Sequence, residues 1–399
     1  MKYNNVSKLA LGATLALQVP AAAENSGDWC SMLKSKPTIY KNSDNPYIQE
    51  IGFEGRLQWQ TASIDVNGIN GTSDEDTFTE WRRARLGTKV KFLNYFSAKY
   101  QANFVSDGRP SGGELEWDYQ DIDEAYLTFD LNKAMGGSYF DDLAVGYGRY
   151  KYTLGYESTA SSKKLLTVER SALANKVYGS SRPTGLKVDA AKGDWEFSAA
   201  LYSTSEDGSE NEFFSGFNDG EVLWFHAGYA PSGNWTYGFD ASYNTADPTE
   251  GDDSNITTKW ATSINAEYSS GNFGVIYDLI AGENLDSSNA DREGTFYGAM
   301  VMPYYWVMED KLQWVGQVQY MASDEDEGVR FNSRYGRRNH AANVNSGRGD
   351  NHLSLYTGLN YYICDHNAKV QGGIEWQDLD TPSGSVDTLT YILAVRTYF

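Results

Sequence analysis

The sequence predicts an all-β protein: a transmembrane antiparallel β-barrel of sixteen strands, with short periplasmic turns and long extracellular loops. Three observations support this fold class: an export signal at the N-terminus, two-residue alternation of apolar and polar side chains, and connections of two alternating lengths. Outer-membrane barrels combine these features, whereas helical periodicity is hard to find anywhere in the chain.

The first residues have the layout of a secretory signal peptide. Two lysines accompany an apolar run over residues 9–19, and the small residues Ala21, Ala22 and Ala23 follow it. This layout predicts a signal peptide over residues 1–23 that is cleaved after Ala23. A buried N-terminal helix is the alternative, but the run is too short to span a membrane. No later apolar window is long enough either, so the chain is predicted to be exported without a helical anchor.

The last residues, DTLTYILAVRTYF, illustrate the strand pattern. The odd positions 389–397 are mostly apolar, whereas Thr390, Arg396 and Tyr398 fall on a mixed face. Such a strand suits lipid on one side and water on the other. A β-sandwich also alternates, but this chain is far longer than one sandwich. Aromatic residues make up 14% of the chain and lie at strand ends, as membrane girdles do.

Connections of two lengths alternate along the chain. Tight turns are predicted at 93–95, 191–194, 230–234, 269–272 and 364–367, and long loops at roughly 62–80, 106–120, 152–183, 204–221, 245–257, 282–294, 322–350 and 380–386. Eight long loops imply sixteen strands with both termini on the periplasmic side. The predicted organisation is a signal peptide (1–23), a periplasmic N-terminal segment (24–49) and an outer-membrane barrel (50–399).

Charge is distributed unevenly along the chain. There are 33 Lys and Arg against 54 Asp and Glu, for a formal net charge of -21, and much of the acid lies in long loops such as DPTEGDDSN. Acidic, Gly- and Ser-rich loops predict a solvated outer surface among lipid and lipopolysaccharide. Against this background, the stretch TEWRRARLGTKVKF (79–92) concentrates five cations.

Strand alternation divides these five cations into two groups. Arg83, Arg85, Lys89 and Lys91 share the polar face, whereas Arg82 falls on the apolar parity and is placed at the outer rim. A charge facing lipid would cost about 2–4 kcal/mol near the midplane, so the four are predicted to line the lumen. Same-face residues lie about 6.6 Å apart, which gives a ladder of roughly 26 Å.

Arg56 on the preceding strand and Lys99 on the following strand are expected beside this ladder. A cationic wall in a water-filled lumen raises the local concentration of anions, which predicts a path for small anionic or polar solutes. The alternative is structural pairing with acids on the same face, namely Glu54, Glu124, Glu196, Asp240, Glu267, Asp278 and Glu375. Nucleic-acid binding is excluded by the lumen location and by the acidity of the remaining chain.

The third long connection carries an apolar piece, KLLTV, which an exposed loop does not need. The connection is therefore predicted to fold back and pack inside the lumen. Its candidate constriction residues are Glu157, Lys163, Lys164, Glu169 and Arg170, and a Glu169–Arg170 pair anchoring the loop to the wall is the structural alternative.

Several motifs together resemble the phosphate-selective porin O and P family. They are WRRARLGTKVKF, the segment with Gly155, Glu157, Ser161 and Ser162, the triplet Glu169-Arg170-Ser171, and GLNYYICDHNAKVQ. The resemblance spans roughly residues 50–399 and implies a sixteen-stranded outer-membrane barrel, a homotrimer, a third loop that narrows the channel, and passage of anions such as phosphate or polyphosphate. The acidity of the chain and the few arginines in its third loop depart from that pattern.

The two cysteines, Cys30 and Cys364, both fall on the periplasmic side, where an oxidising compartment favours a disulfide between them. The four histidines show no metal spacing, and no nucleotide-binding or nucleophile motif is present, so neither a metal nor a cofactor is predicted. The predicted function is a porin for passive diffusion. A general porin of low selectivity, an outer-membrane barrel enzyme and a soluble glycan-binding β-protein are the alternatives.

Overall fold

The computed structural model describes residues 27–34, 37–106, 117–178, 181–205, 216–250, 252, 254–285, 290–331, 334–336 and 344–399. The predicted signal peptide lies outside these residues. Within the described part of the chain, no helix is long and apolar enough to cross a membrane.

Strands dominate the described residues. They are β1 (Thr38–Lys41), β2 (Ile48–Asn67), β3 (Ser73–Phe92), β4 (Phe96–Asn103), β5 (Asp121–Asp130), β6 (Asp142–Arg149), β7 (Thr184–Lys192), β8 (Trp195–Ser203), β9 (Glu221–Tyr229), β10 (Trp235–Asn244), β11 (Thr258–Ser270), β12 (Phe273–Asn284), β13 (Thr295–Met308), β14 (Leu312–Ser323), β15 (Val329–Arg330), β16 (Arg348–Gly349), β17 (Asn351–Cys364), β18 (Ala368–Thr381) and β19 (Gly384–Tyr398). The helices are α1 (Gly27–Lys34), α2 (Leu131–Ala134), α3 (Tyr156–Thr159) and α4 (Ala172–Tyr178), and short 3-10 turns lie at Ile69–Gly71, Ala290–Arg292 and Val344–Gly347.

The described residues form a closed antiparallel barrel of 16 strands, β2–β14 and β17–β19. The last strand closes it, because β19 pairs with β2 from Asp387 opposite Asn67 to Tyr398 opposite Arg56. β15 and β16 pair as a separate two-stranded sheet that is not part of the wall. The predicted fold class and strand number are therefore confirmed.

The barrel has two different faces, as the alternation predicts. On β19, Thr388, Thr390, Ile392, Ala394 and Arg396 are buried inside the barrel, whereas the residues between them point outward. Closure leaves no open sheet edge, so the backbone of the wall is satisfied within the barrel. The outward face carries exposed large apolar and aromatic side chains, as expected of a lipid-facing surface.

Connections of two kinds separate the strands. One rim, called here the short-turn rim, has tight links such as 193–194, 271–272 and 365–367. The other, the long-loop rim, has long links such as 150–183 and 324–350. Two predicted long loops are short, because β2–β3 and β18–β19 continue pairing past the expected ends and leave only residues 68–72 and 382–383 between them.

The N-terminal segment is held at the short-turn rim. β1 pairs with the start of β2, which begins two residues before the predicted barrel boundary. Cys30 of α1 forms a disulfide with Cys364 at the end of β17, with the Cα atoms 5.5 Å apart. An ion pair of 2.7 Å between Lys34 and Asp365 reinforces this attachment.

The third connection links β6 to β7, and its described residues, 150–178 and 181–183, lie inside the barrel and contribute to its interior core. Tyr152, Leu154 and Leu173 are completely buried, and they belong to a cluster that includes lumen-facing residues of the wall. Side chains of residues 331 and 335, from the connection between β14 and β17, join the same cluster. The lumen is therefore partly filled, and open space remains beside the wall formed by β2–β6.

Candidate functional site

The third connection is seated on the wall opposite β2–β6 by two buried carboxylates. Gly155 N donates to Asp240 Oδ2 at 3.0 Å, and Tyr156 N donates to Asp278 Oδ2 at 2.8 Å. Gly155 has a φ of +85°, and a Cβ atom there would lie 2.7 Å from Asp278 Oδ2. A glycine is therefore needed where the chain turns down onto these acids.

The apolar KLLTV piece is fixed by donors from the last strands. Lys369 Nζ donates to the Leu165 carbonyl at 2.6 Å, and Arg396 Nη2 donates to the Val168 carbonyl at 3.1 Å. Both cations are almost completely buried. These two basic side chains therefore hold the connection in place inside the lumen.

Glu169 fixes the next part of the connection to the barrel wall. Arg82 Nε lies 2.7 Å from Glu169 Oε1, and Gln60 Nε2 donates to the same oxygen at 2.9 Å. Burial alone would raise the pKa of Glu169, but the neighbouring Arg82 and Arg83 outweigh burial and hold this pKa well below its usual value. The wall anchor is thus an ion pair of Glu169 with Arg82.

The placement of Arg82 at the outer rim is wrong. Gln58 pairs with Arg83 and Trp59 with Trp81, so Arg82 is the additional residue of a β-bulge. A bulge locally shifts the alternation of side chains. The side chain of Arg82 consequently turns into the lumen, next to that of Arg83.

Glu157 and Arg170 make contacts within the connection itself. Glu157 Oε2 accepts from Ser171 N at 3.0 Å, and Arg170 Nε donates to the Glu157 carbonyl at 2.8 Å. Burial raises the pKa of Glu157, which is 2% exposed. Glu157 therefore shapes the connection and does not reach the open space, whereas Arg170 does.

A chamber of about 960 Å³ lies between the third connection and the wall formed by β2–β6. Among the described residues, thirteen basic and four acidic side chains line it. We call it the cationic passage; its basic residues are Lys34, Arg56, Arg82, Arg83, Arg85, Lys89, Lys99, Arg149, Lys151, Lys163, Lys164, Arg170 and Arg182, and its acidic residues are Glu54, Asp121, Asp123 and Glu124. It extends from Lys34 and Asn367 at the short-turn rim to Ser205 and Asn255 at the long-loop rim.

Most members of the predicted ladder reach this passage. Arg83, Arg85 and Lys89 line it together with Arg56 and Lys99. The remaining member, Lys91, stays at the short-turn rim, where its Nζ lies 3.4 Å from Glu50 and its side chain is 63% exposed.

Part of the positive charge is balanced by carboxylates. Arg85 lies 2.6 Å from Asp123, and Lys99 lies 3.2 Å from Glu54 and 2.5 Å from Glu124. The hydrogen bonds of two other arginines go to neutral groups. Arg56 donates to Ser162 Oγ at 2.6 Å and to Gln101 Oε1 at 3.2 Å. Arg83 donates to Gln58 Oε1 at 2.8 Å.

Lys163 of the third connection faces the same space. Its Nζ is 3.9 Å from Glu54 Oε2 and lies over the ring of Tyr398, 4.8 Å from the centroid. Burial, followed by the nearby positive charge of Arg56, lowers the pKa of Lys163 to about 8. Its charge is therefore sensitive to mildly alkaline pH.

Sequence reasoning missed several basic residues of the passage. Arg182 Nη2 lies 2.7 Å from Asp123, a bulge residue of β5, so that Arg182 and Arg85 share one carboxylate. Lys151 and Arg182 also lie over the ring of Tyr178, at 5.2 and 5.8 Å. Arg149 lines the passage although the alternation of β6 would direct it outward. Lys151 and Arg182 sit at the two ends of the third connection, where no strand alternation guides a prediction.

In the described part of the chain, no group of three or more His, Cys, Asp or Glu side chains is arranged to hold a metal ion. His226 and His352 each bond a side chain of the neighbouring wall strand instead, Asp240 at 2.7 Å and Gln377 at 3.0 Å. The polar interior is therefore organised around cations, carboxylates and amides.

Solved structures of outer-membrane proteins share this architecture. The outer-membrane channel DcaP of Acinetobacter baumannii is 12% identical, with 90% of this chain and 99% of that chain covered and a TM-score of 0.56. An anion-selective porin from Comamonas acidovorans is 10% identical, with 88% and 99% covered and a TM-score of 0.55. OmpT of Vibrio cholerae in a trimer form is 12% identical, with 88% and 99% covered and a TM-score of 0.50. At these identities the likeness concerns the fold. No curated protein matches the chain.

The amino-acid sequence itself matches the family described as phosphate-selective porin O and P over residues 51–280, which is more than half of the chain. The matched region contains β3–β11, most of β2 and β12, the whole third connection and most of the wall of the cationic passage. The chain therefore belongs to the phosphate-selective porin O and P family, and its barrel is an outer-membrane channel for passive diffusion of small hydrophilic solutes.

Proposed function

We propose that the channel prefers small anions and that they move along the cationic passage. The observation that carries this proposal is the excess of basic over acidic side chains, thirteen against four, along a chamber that reaches both rims. Rings of like charge in a narrow water-filled lumen concentrate the opposite ion and repel ions of the same sign. The acidic loops do not cancel this effect, because exposed charges beyond about 10 Å are largely screened at 0.1 M salt.

The chemistry of the passage suits oxyanions such as phosphate, short polyphosphates or carboxylates. Arginines supply planar donor pairs that match phosphate and carboxylate oxygens, and lysines supply compact charges. Arg56 and Arg83 bond neutral groups, so their charge is not cancelled by a carboxylate in direct contact. The two guanidinium groups together would bind an anion at a point between the two rims as it crosses the channel.

A general porin of low selectivity is the second candidate function. It is favoured by the pairing of Arg85 with Asp123, of Lys99 with Glu124 and of Lys89 with Glu54. If these pairs dominate the local field, the basic wall stiffens the barrel and the channel discriminates little between anions and cations.

The reversal potential across a planar bilayer with a KCl gradient separates the two functions. An anion-preferring channel gives a potential of the sign set by chloride, and its magnitude approaches the chloride equilibrium value. A low-selectivity channel gives a potential close to zero. A potential of the sign set by potassium would contradict the proposal.

We also infer the orientation and assembly of the barrel. The short-turn rim, with the disulfide-linked segment over residues 24–49, would face the oxidising periplasm, and the long acidic loops would face lipopolysaccharide. A homotrimer is supported by the similar fold of an outer-membrane protein described in a trimer form. Passive diffusion requires no catalytic role of the lumen residues. Determining the mass of the complex in detergent would test the subunit number.

A further inference from the structure

A second chamber, of about 510 Å³, lies beside the cationic passage. We call it the aromatic chamber; its lining includes Tyr126, Tyr150, Tyr202, Trp224 and His226. Glu124, Lys151 and Thr159 line both spaces, so the two adjoin each other beside α3. A third cavity shares Thr159, Glu196 and His226 with the aromatic chamber and reaches residues 193–194 and 230 at the short-turn rim.

The rings of the aromatic chamber form a continuous row across the wall. Tyr126 stacks on Tyr150 with centroids 4.5 Å apart, and Tyr150 lies 6.3 Å from Tyr202. Trp224 lies 6.2 Å from Tyr202 and 6.2 Å from His226. The row crosses β5, the start of the third connection, β8 and β9. Other aromatic residues of the wall, such as Tyr147 and Trp195, are exposed on the outer face, whereas this row lies on the inner face and is not part of a lipid-facing girdle.

The charges of the aromatic chamber are nearly balanced, unlike those of the passage. Its lysines are Lys151 and Lys187, and its acids are Glu124, Asp189 and Glu196. Lys187 Nζ lies 2.7 Å from Asp189 and also 5.7 Å from the ring centroid of Trp224. The chamber therefore lacks the positive excess that would select an anion.

Hydroxyl and carboxylate groups border the rings. Ser97, Thr128, Thr153 and Ser198 line the chamber together with Asp189, and Ser198 Oγ donates to Asp189. Ring surfaces beside a few placed donors and acceptors are the usual composition of a small-molecule site, and the chamber volume falls in the usual range for one. The matching solute is uncharged, has apolar C–H faces and carries hydroxyl groups at its edges.

We propose that the aromatic chamber is a binding subsite for a neutral cyclic polyol, that is, a free monosaccharide. The sugar ring contacts the aromatic row, and its hydroxyl groups exchange hydrogen bonds with the bordering serine, threonine and aspartate side chains. Because the chamber adjoins the passage at Lys151, a bound sugar narrows the ion path without occupying it. This subsite does not depend on the anion preference proposed above.

Single-channel current in KCl with added D-glucose tests the proposal. Sorbitol is the matched probe, since it has a similar size and hydroxyl content but no ring. Glucose is expected to reduce the current saturably, beyond the linear reduction that sorbitol causes through bulk conductivity. Identical linear effects of the two compounds would overturn the proposal, even if the reversal potential shows anion preference.

A pair of variants locates the effect. Tyr126→Leu removes a partly buried ring of the row and should raise the half-saturating glucose concentration about fivefold, from the usual contribution of one aromatic contact. Tyr147→Leu removes an outward-facing tyrosine of β6 that is 42% exposed and should leave the glucose effect unchanged. Equal responses of the two variants would place glucose elsewhere and refute the assignment. If the Tyr126→Leu protein fails to fold, the comparison of glucose with sorbitol on the unaltered channel is the deciding test.

Discussion

Removal of three cations from the passage should weaken anion preference by a calculable amount. The variant Arg56→Gln, Arg83→Gln and Lys164→Gln takes three positive charges from the thirteen that line the chamber. The two arginines bond neutral side chains, Ser162 and Gln58, so their replacement leaves no buried carboxylate without its partner.

The magnitude follows from Coulomb's law with screening. A unit charge about 10 Å from the ion path contributes ~0.4 kcal/mol in bulk water, which salt at about 0.1 M reduces to ~0.15 kcal/mol. Three charges act with opposite sign on anions and cations, so the difference between them changes by ~0.9 kcal/mol, or about fivefold in permeability ratio. At about 0.01 M salt the screening length is about 30 Å, and the expected loss grows to about twentyfold.

The assay is the reversal potential in planar bilayers at both salt concentrations, with the ratio of anion to cation permeability as the readout. A matched control is Lys91→Gln combined with Glu50→Gln, which removes one charge of each sign from an exposed pair at the short-turn rim. That control should leave the ratio unchanged. A triple variant with the ratio of the unaltered protein, or with a loss that does not grow at low salt, would refute electrostatic steering by these residues.

Three further outcomes are expected. Replacing Glu169 by Gln breaks its ion pair with Arg82, and breaking a buried ion pair costs about 3–5 kcal/mol. The variant should therefore show a higher single-channel conductance with larger fluctuations. Unchanged conductance would mean that this anchor is dispensable. Because the pKa of Lys163 is lowered to about 8, anion preference should fall as pH rises through that value, and Lys163→Gln should flatten the profile; a preference that increases with pH would contradict the assignment. Replacing Cys30 and Cys364 together by Ser should accelerate proteolysis of residues 27–41 while conductance stays the same, whereas equal cleavage rates would show that β1 pairing alone holds the segment.

Strand alternation carried the prediction of the barrel and of most of its lumen face. A two-residue period assigns a face to each side chain wherever the period is unbroken. It assigned Arg56, Arg83, Arg85 and Lys99 to the inner face, and these four side chains line the passage. It failed at Arg82, because a β-bulge depends on how the partner strand pairs and leaves no local mark in the sequence.

The position of the third connection inside the barrel could be predicted only in outline. The apolar piece KLLTV indicated that the segment packs inside, but its partners Lys369 and Arg396 lie about two hundred residues further along the chain. Their contacts are to backbone carbonyl groups, which any residue type supplies. No residue pattern therefore distinguishes these two anchoring cations from those that line the passage.

The extent of the passage was also hidden in the sequence. Arg182 and Lys151 belong to irregular backbone at the ends of the third connection, where no period assigns a face. Their side chains face inward because the third connection is hydrogen-bonded to Asp240 and Asp278, and because Arg182 shares the carboxylate of Asp123. These are tertiary contacts between distant segments, so the folded barrel is needed to bring the thirteen cations together.

The most direct test of the cationic passage is the location of ions inside the barrel. Anomalous diffraction from crystals soaked in rubidium bromide would identify anions and cations separately. The structure predicts bromide beside Arg56, Arg83 and Lys163, in the chamber between the third connection and the wall formed by β2–β6. Rubidium at those positions, with bromide absent from the chamber, would contradict the account.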